Sequence, residues 1–515
     1  MSDFRKLKRI ENNKRYLDEF LQVADNLIHD QQFNSAATLL KDLAEFAFKN
    51  CTGYYINWKL EALLSNLGCV IPQESYAPTV NGRTLTLNIL HVASELYATG
   101  GHTKLLLNWI NNDQGNFHSI IVTRQESHCV PEEIIKNYGH IIESLDPSKS
   151  ILQNASELRR KAIKYDFIVL HIHPDDIVPV IAFNSNDLPP VAFLNHADHC
   201  FWTGGSVIDT LIQIREPNIA LDTVRRKLDS QFFLPIPVDA DKNNKAEYYR
   251  FRNELGIPDN KLVLLTTGHQ YKYTPNKEYN FFEATIEVLN RNENYTLFVA
   301  GVYADSELAK KYRHAQINYL GDVKDLYRYE IACDIYLEGF PFPSFTAMLQ
   351  AGLRGKVIHL MYNPVPAIRF FDEQNSNIFY YSKTKSEWID ALLRLLINGD
   401  YKKKVQISQF TYLEKHYTRG AWSTKLDFLY KTLFNSRHYV KSEPSSNCYL
   451  DKNEIFLSHF DANTVINAGE YRASIPMTLY VFHLGLLFKR ELSKAPKKVL
   501  NKSRMLLKRN KSVSV

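Results

Sequence analysis

At 515 residues the chain is longer than one hydrophobic core usually organises, so two or more domains are expected. A hydrophobic content of 45% with 12% aromatic residues fits a soluble globular protein with large cores. The formal charge of +6 is local: residues 489–511 carry ten Lys/Arg against one acid, so the remainder is slightly acidic and a generally basic nucleic-acid binder is disfavoured.

Residues 4–68 read as helices. Val23, Leu27, Ala36, Leu40, Leu43 and Phe46 fall near a helical period, interrupted by a polar break at 30–34, and residues 59–67 add a shorter amphipathic piece. The helix-turn-helix spacing is similar to that of tetratricopeptide units, but one or two copies cannot build a solenoid. An accessory layer packed on the next domain is expected here, with a partner-docking module as the alternative. The first twenty residues lack the apolar core of a signal peptide, and no 18-residue apolar run exists; the nearest, 475–488, contains Pro476 and His483. Cys51, Cys69, Cys129, Cys200, Cys333 and Cys448 are scattered without a Cys-x-x-Cys pair, as expected of reduced thiols rather than a disulfide or zinc framework. The expected location is the cytoplasm.

A polar linker at 72–83 precedes a change of pattern. TLNILHVAS, FHSIIVT, FIVLHI and VAFLNH are short, apolar and β-branched, and they alternate with helical stretches, which predicts a parallel sheet wrapped by helices. Pro235 and Pro237 stiffen a crossing into a second unit of the same kind, with strands at KLVLLTTG, YTLFVAG, INYLG and Ile335–Leu337. The expected divisions are a helical extension (1–80), a first Rossmann-like domain (81–236), a second (237–400), helices crossing back (401–438) and a basic tail (439–515). Within the tail, residues 475–511 place apolar side chains before Lys/Arg, with Leu500, Met505, Leu506 and Leu507 recurring among the charges. That pattern suits an interfacial helix on an anionic membrane surface.

Candidate site residues cluster where the predicted strands end. Gly100, Gly101 and His102 follow the first strand and open a helix, where glycines let the backbone approach a ligand and helix amides favour an anion. Asn195–Trp202 contains His196, Asp198 and His199, a density of polar groups that folding alone does not require. Arg215 follows LIQI as a further cation. In the second unit the loop after KLVLLTTG supplies His269, Lys272 and Lys277, cations suited to offsetting charge on a departing phosphate. A competing chemistry starts from His171, His173, Asp175 and Asp176, which approach the His-x-His-x-Asp-His spacing of binuclear metallohydrolases, with His196 and His199 as added ligands.

The most informative stretch is 336–360, YLEGFPFPSFTAMLQAGLRGKVIHL: a buried strand end, Glu338, a Pro/Gly loop, a helix, then a new strand at Val357. A carboxylate just past a strand end and facing a helix N-terminus is where open α/β sheets bind nucleotide-like ligands. Ser344 and Thr346 can donate to phosphate or ribose from the same turn. This segment resembles the donor site of GT-B glycosyltransferases, particularly the retaining group that shares the glycogen-synthase and sucrose-synthase pattern. Glu338-Gly339-Phe340 and Ala347-Met348 fit that pattern; the position of its second acid holds Thr346, or Gln350 in a shifted alignment. The resemblance covers about 85–435.

It implies two Rossmann-like domains across a cleft and transfer of a sugar from a nucleotide-diphosphate donor to a saccharide or lipid-linked acceptor in bacterial surface polysaccharide synthesis. It further implies retention of configuration and no obligatory metal or cofactor. Glu338 with His199 or His196 would hold the sugar, and Asp198 would position the imidazole or contact the acceptor. Gly100, Gly101, His102, His269, Lys272, Lys277, Ser344, Thr346, Gln350 and Arg215 would hold the rest of the donor. A protein-directed transferase, a non-catalytic nucleotide-sugar binder and a metallohydrolase are the alternatives.

Overall fold

The computed structural model describes residues 3–76, 86–98, 101–215, 217–239, 245–276 and 279–494; Gly100, Lys277 and the end of the basic tail lie outside the described residues. Seven strands form the first sheet: β1 (Asn88–Ala93), β2 (Phe117–Val122), β3 (Ile142–Ser144), β4 (Phe167–His171), β5 (Val191–Asn195), β6 (Thr210–Gln213) and β7 (Gln231–Phe233). Their order is β3-β2-β1-β4-β5-β6-β7, and every pairing is parallel. Six more form the second: β8 (Leu262–Thr267), β9 (Tyr295–Ala300), β10 (Ile317–Gly321), β11 (Ile335–Leu337), β12 (Val357–Met361) and β13 (Tyr381–Ser382). They are ordered β10-β9-β8-β11-β12-β13, again all parallel.

In each sheet the first strand is central and the chain reverses its direction of travel beside it, between β1 and β4 and between β8 and β11. This is the doubly wound order, which opens a crevice beyond the strand ends at the reversal. β4, β5 and β12 are buried along their whole length, as strands covered on both faces by helices must be. Three of the four edge strands, β3, β7 and β13, have only two or three residues each and carry no alternation that a sequence could reveal.

The extension forms three helices, Asp3–His29, Phe33–Lys49 and Trp58–Val70. Their apolar faces share one core cluster with Leu90, Val92, Ile168 and Leu170 of the first sheet. The docking is close. A Cβ on Gly68 would stand 2.5 Å from the Asn184 Cβ, and the buried Glu61 carboxylate accepts from the Gly204 and Ser206 amides at 2.8 and 3.0 Å. Arg159 ties the same seam by donating to the carbonyls of Gly68, Ile181, Ala182 and Asn184.

Two further segments join the parts. Helix Arg419–Phe434 lies against the first sheet, with Trp422 5.8 Å from Trp109 and Tyr430 accepting from the Trp109 indole at 2.8 Å. Residues 439–475 form a strap. Tyr449 donates to the Gly53 carbonyl at 2.7 Å, Asp461 pairs with Arg9 at 3.2 Å, and the Phe456 carbonyl and ring meet Asn276 and Tyr279 of the second domain. Helix Met477–Lys494 then packs on the first helix through Leu479, Phe482 and His483, whose Nδ1 is 2.6 Å from the Tyr16 hydroxyl.

Candidate active site between the two sheets

Loops at the C-terminal ends of β8, β11 and β12 build one wall of the cleft. β8 runs into Gly268, where a Cβ would lie 3.0 Å from the Ser344 hydroxyl oxygen, and Gly301 (φ +89°) follows β9 so tightly that a Cβ would meet the Gly268 carbonyl at 2.7 Å. Glycine at both positions lets the backbone lie flat there.

Glu338 leaves β11 and is only 4% exposed. Its Oε1 accepts from the Ser344 amide, while its Oε2 is buried without a hydrogen-bond partner among the described residues. Burial, partly offset by the Ser344 amide and the Lys272 ammonium, pushes this carboxyl up to about 7. Lys272 Nζ donates to the Pro343 carbonyl at 3.0 Å and to Ser344 Oγ at 3.4 Å, and burial lowers its pKa against the opposing pull of Glu338. The Ser344 hydroxyl in turn donates to the Thr267 carbonyl.

Phe345 then turns the chain at φ +46°, an uncommon backbone state for a bulky residue. It precedes helix Thr346–Leu353, whose N-terminus has no side-chain cap. The first-turn amides therefore form an anion-favouring end beside Lys272 and Glu338. Thr346 opens that helix and Gln350 lies one turn further on. His269 is exposed at the start of the turn that carries Lys272.

The opposing wall comes from the loops after β5 and β6. Arg215 holds Asp198 through two bonds, Nε to Oδ2 at 2.8 Å and Nη2 to Oδ1, and Asn218 donates to the same carboxylate. Burial pushes the Asp198 carboxyl up, but Arg215 and His199 more than offset this and hold it well below the usual carboxylate range. Arg215 also reaches across the cleft: its guanidinium lies 4.4 Å from the Phe345 ring centre, and its Nη1 is 3.4 Å from the Arg369 carbonyl. Arg215 thus ties the two walls together.

The geometry also separates the two histidines. His199 lies 3.7 Å from Asp198 and packs its ring 5.2 Å from Phe342, on the wall built by the loops after β8, β11 and β12. His196 turns the other way, 4.6 Å from His102 in the first turn of helix Gly101–Asn112. His102 Nε2 contacts the His171 carbonyl at 2.5 Å, and burial lowers its imidazole to about 4. His196 is lowered well below its ordinary value by burial and by His102 and His173, so both rings are neutral near pH 7.

The metal-like spacing does not assemble. His171 Nε2 is 3.0 Å from His91 Nδ1 inside the first sheet, Asp175 pairs with Arg124 at 3.0 Å, and Asp176 caps helix Ile177–Ala182 while accepting from Ser94 at 2.6 Å. His173 stacks toward Tyr97 instead. Among the described residues no group of three or more His, Cys, Asp or Glu side chains is arranged to hold a metal ion. The pattern fails because β4 ends at His171, so His173 leaves the strand toward Tyr97 while His171 stays inside the sheet, and each carboxylate already serves the local backbone or an arginine.

Sequence reasoning missed Phe342 and the strap. The Phe342 amide donates to the Lys272 carbonyl at 3.1 Å, and its ring contacts His199, Tyr271 at 6.3 Å and Phe460 at 5.2 Å. Phe460 comes from a part of the chain more than a hundred residues away with no motif of its own, so no local signal places it here.

The sequence matches no protein-family model and no curated protein. Solved structures do resemble it. HepE of Anabaena in complex with UDP is 12% identical with a TM-score of 0.53, covering 67% of this chain and 100% of that one. A glycosyltransferase from Rickettsia africae is 12% identical with a TM-score of 0.53, covering 68% of this chain and 100% of that one. TarM is 10% identical with a TM-score of 0.51, covering 69% and 100%. At such identities the likeness is one of architecture, and with two doubly wound domains meeting at their strand tips the chain has the GT-B fold.

Proposed function

We propose that this cleft transfers a sugar from a nucleotide-diphosphate donor to a saccharide or lipid-linked acceptor, in the assembly of bacterial surface polysaccharide. The observation that carries the reading is Glu338: a buried carboxylate with one unpartnered oxygen, set beside Lys272 at an uncapped helix N-terminus. A free carboxylate oxygen suits donor-sugar hydroxyls, and the amides of the Thr346 turn with Lys272 suit a diphosphate. As the anomeric C–O bond breaks, its electron pair passes to the leaving phosphate, and these fixed positive groups offset the charge that builds there. His199 faces the same space from the acceptor-side wall. The retained configuration and the independence from metal remain inferences from the Glu338–Met348 resemblance. The anomeric proton coupling of the product reads the first, and turnover in chelator reads the second.

The solved HepE structure of the same fold holds UDP, so uridine diphosphate sugars are the first donors to test. A panel of nucleotide sugars screened by thermal shift should raise the unfolding midpoint with at least one member, because a ligand bound to the native state stabilises it. Lys272→Ala and Glu338→Ala should each weaken that donor about tenfold or more while unfolding at a midpoint near that of the unaltered chain. Unchanged affinity in both would overturn the assignment of the site.

The same reading places the enzyme on an anionic membrane surface through helix Met477–Lys494. Met477, Val481, Leu484 and Phe488 recur at helical spacing and are 73%, 60%, 46% and 68% exposed, while the opposite face is anchored on the first helix. The basic sequence 489–511 follows directly. An apolar stripe continued by lysines and arginines is complementary to acyl chains beneath anionic headgroups. Among the described residues no helix is long and apolar enough to cross a membrane.

A further inference from the structure

A cavity of about 290 Å³ opens beside the cleft, bounded by the helical extension, the loop at His199, Phe342 and the strap. Three of its walls lie far apart in sequence. Tyr54 and Tyr55 come from the loop after helix Phe33–Lys49, Glu454 and Phe460 come from the strap, and His199 and Phe342 are shared with the two walls of the active site. These walls are fixed to one another. The Tyr55 hydroxyl donates to Glu454 Oε1 at 2.7 Å, the Cys51 amide to Asp461 Oδ1 at 2.9 Å, and the Ala462 amide to the Lys49 carbonyl at 2.9 Å. Phe460 lies edge-on to Phe342, 5.2 Å away.

The lining limits what can enter. Aromatic faces favour an apolar, flat partner surface, while the second Glu454 oxygen and the lone pairs of the Tyr54 and Tyr55 hydroxyls can accept hydrogen bonds. An acyl chain would offer nothing to the second Glu454 oxygen, which Tyr55 leaves open, and an anionic group would face the carboxyls of Glu454 and Asp461. A neutral sugar ring satisfies both demands, with C–H faces for the rings and hydroxyls for the carboxylates. The volume, near the lower bound of roughly 300 Å³ for small-molecule pockets, suits one ring rather than a long chain.

We infer that this cavity is the acceptor subsite and binds the terminal, uncharged sugar ring of a saccharide acceptor, with the extension and the strap as its walls. The inference rests on the transferase reading for its role and on the cavity alone for its binding. Because His199 and Phe342 border both spaces, a ring seated here lies next to the donor held by Glu338 and Lys272.

The test uses the full chain and two kinds of probe. Saturation-transfer difference NMR is run with the methyl glycosides of glucose, galactose, mannose and N-acetylglucosamine, and nucleotide-sugar binding is followed in parallel by thermal shift. At least one glycoside should bind the unaltered protein, and Phe460→Ala should weaken it about tenfold while leaving the nucleotide-sugar shift in place. Ala462→Trp, at the exposed rim, blocks the mouth without removing a core contact and should have the same effect, so the answer does not depend on Phe460→Ala folding well. If no glycoside binds, or if binding survives both variants, the acceptor subsite is wrong even where nucleotide sugars bind. If glycosides respond to the variants but no nucleotide sugar binds, the cavity stands as a saccharide site and the transferase reading falls.

Discussion

Glu338 carries both the strongest and the most pH-sensitive part of the site. Burial holds its carboxyl near 7, so close to neutrality it is partly protonated, yet the form that accepts hydrogen bonds from a donor sugar is the ionised one. Donor affinity should therefore rise with pH, by about tenfold between pH 6 and pH 8 if binding needs the carboxylate. Titration calorimetry with the nucleotide sugar found in the thermal-shift screen checks this, and Glu338→Gln should abolish the slope. A flat profile in the unaltered protein would remove Glu338 from the donor site. Glu338 was legible in the sequence because acid, glycine loop and helix lie within a dozen residues. The commitment of Arg215 to Asp198 was not, because a cation after a strand looks the same whether its partner is a ligand or a neighbouring loop.

At the scale of elements, helices at the two ends of the chain do different work. The three N-terminal helices are buried on the first sheet, with Glu61 and Arg159 satisfying backbone groups across the seam. Helix Met477–Lys494 shares its inner face with them and leaves its outer stripe bare. Co-sedimentation should show the protein on vesicles of phosphatidylcholine with phosphatidylglycerol, and much less on phosphatidylcholine alone. Val481→Asp and Phe488→Asp should each lower the bound fraction several-fold without changing donor binding, because the stripe takes no part in the cleft. Equal binding by those variants would eliminate the helix as the contact. Periodicity made these helices visible in the sequence, but periodicity alone does not say whether an apolar face meets protein or lipid.

For the whole molecule, the buried imidazoles set the response to acid. His102 and His359 are lowered to about 4, and His91, His171 and His196 well below their ordinary value, in each case chiefly by burial. The unfolded chain takes up these protons from about pH 6.5 downward while the folded chain does not, so their contribution to stability is lost as pH falls through that range. Glu338 and Glu454, raised to about 7, and Asp461, raised to about 6, act with the opposite sign. They bind protons in the folded state first and offset part of the loss. Among the groups shifted most, the five imidazoles outnumber the three carboxyls, so the unfolding midpoint should drop from pH 6.5 to pH 4.5. A midpoint that is constant or higher at pH 4.5 would show that these histidines are not held neutral.

The sequence by itself determined the doubly wound units, because buried parallel strands write continuous apolar runs and their helices a 3.6-residue period, both local signals. It also determined which strand ends carry polar groups, and hence the cluster of Glu338, Lys272 and Ser344. Tertiary structure alone decided that His199 rather than His196 meets Phe342 on the wall that carries Glu338, that Arg215 bolts the walls together, and that Phe342, Glu454 and Phe460 enclose a cavity with the helical extension. The physical reason is distance along the chain: hydrogen bonding and periodicity mark what a residue does to its near neighbours, whereas packing between segments hundreds of residues apart depends on shapes that exist only once both have folded.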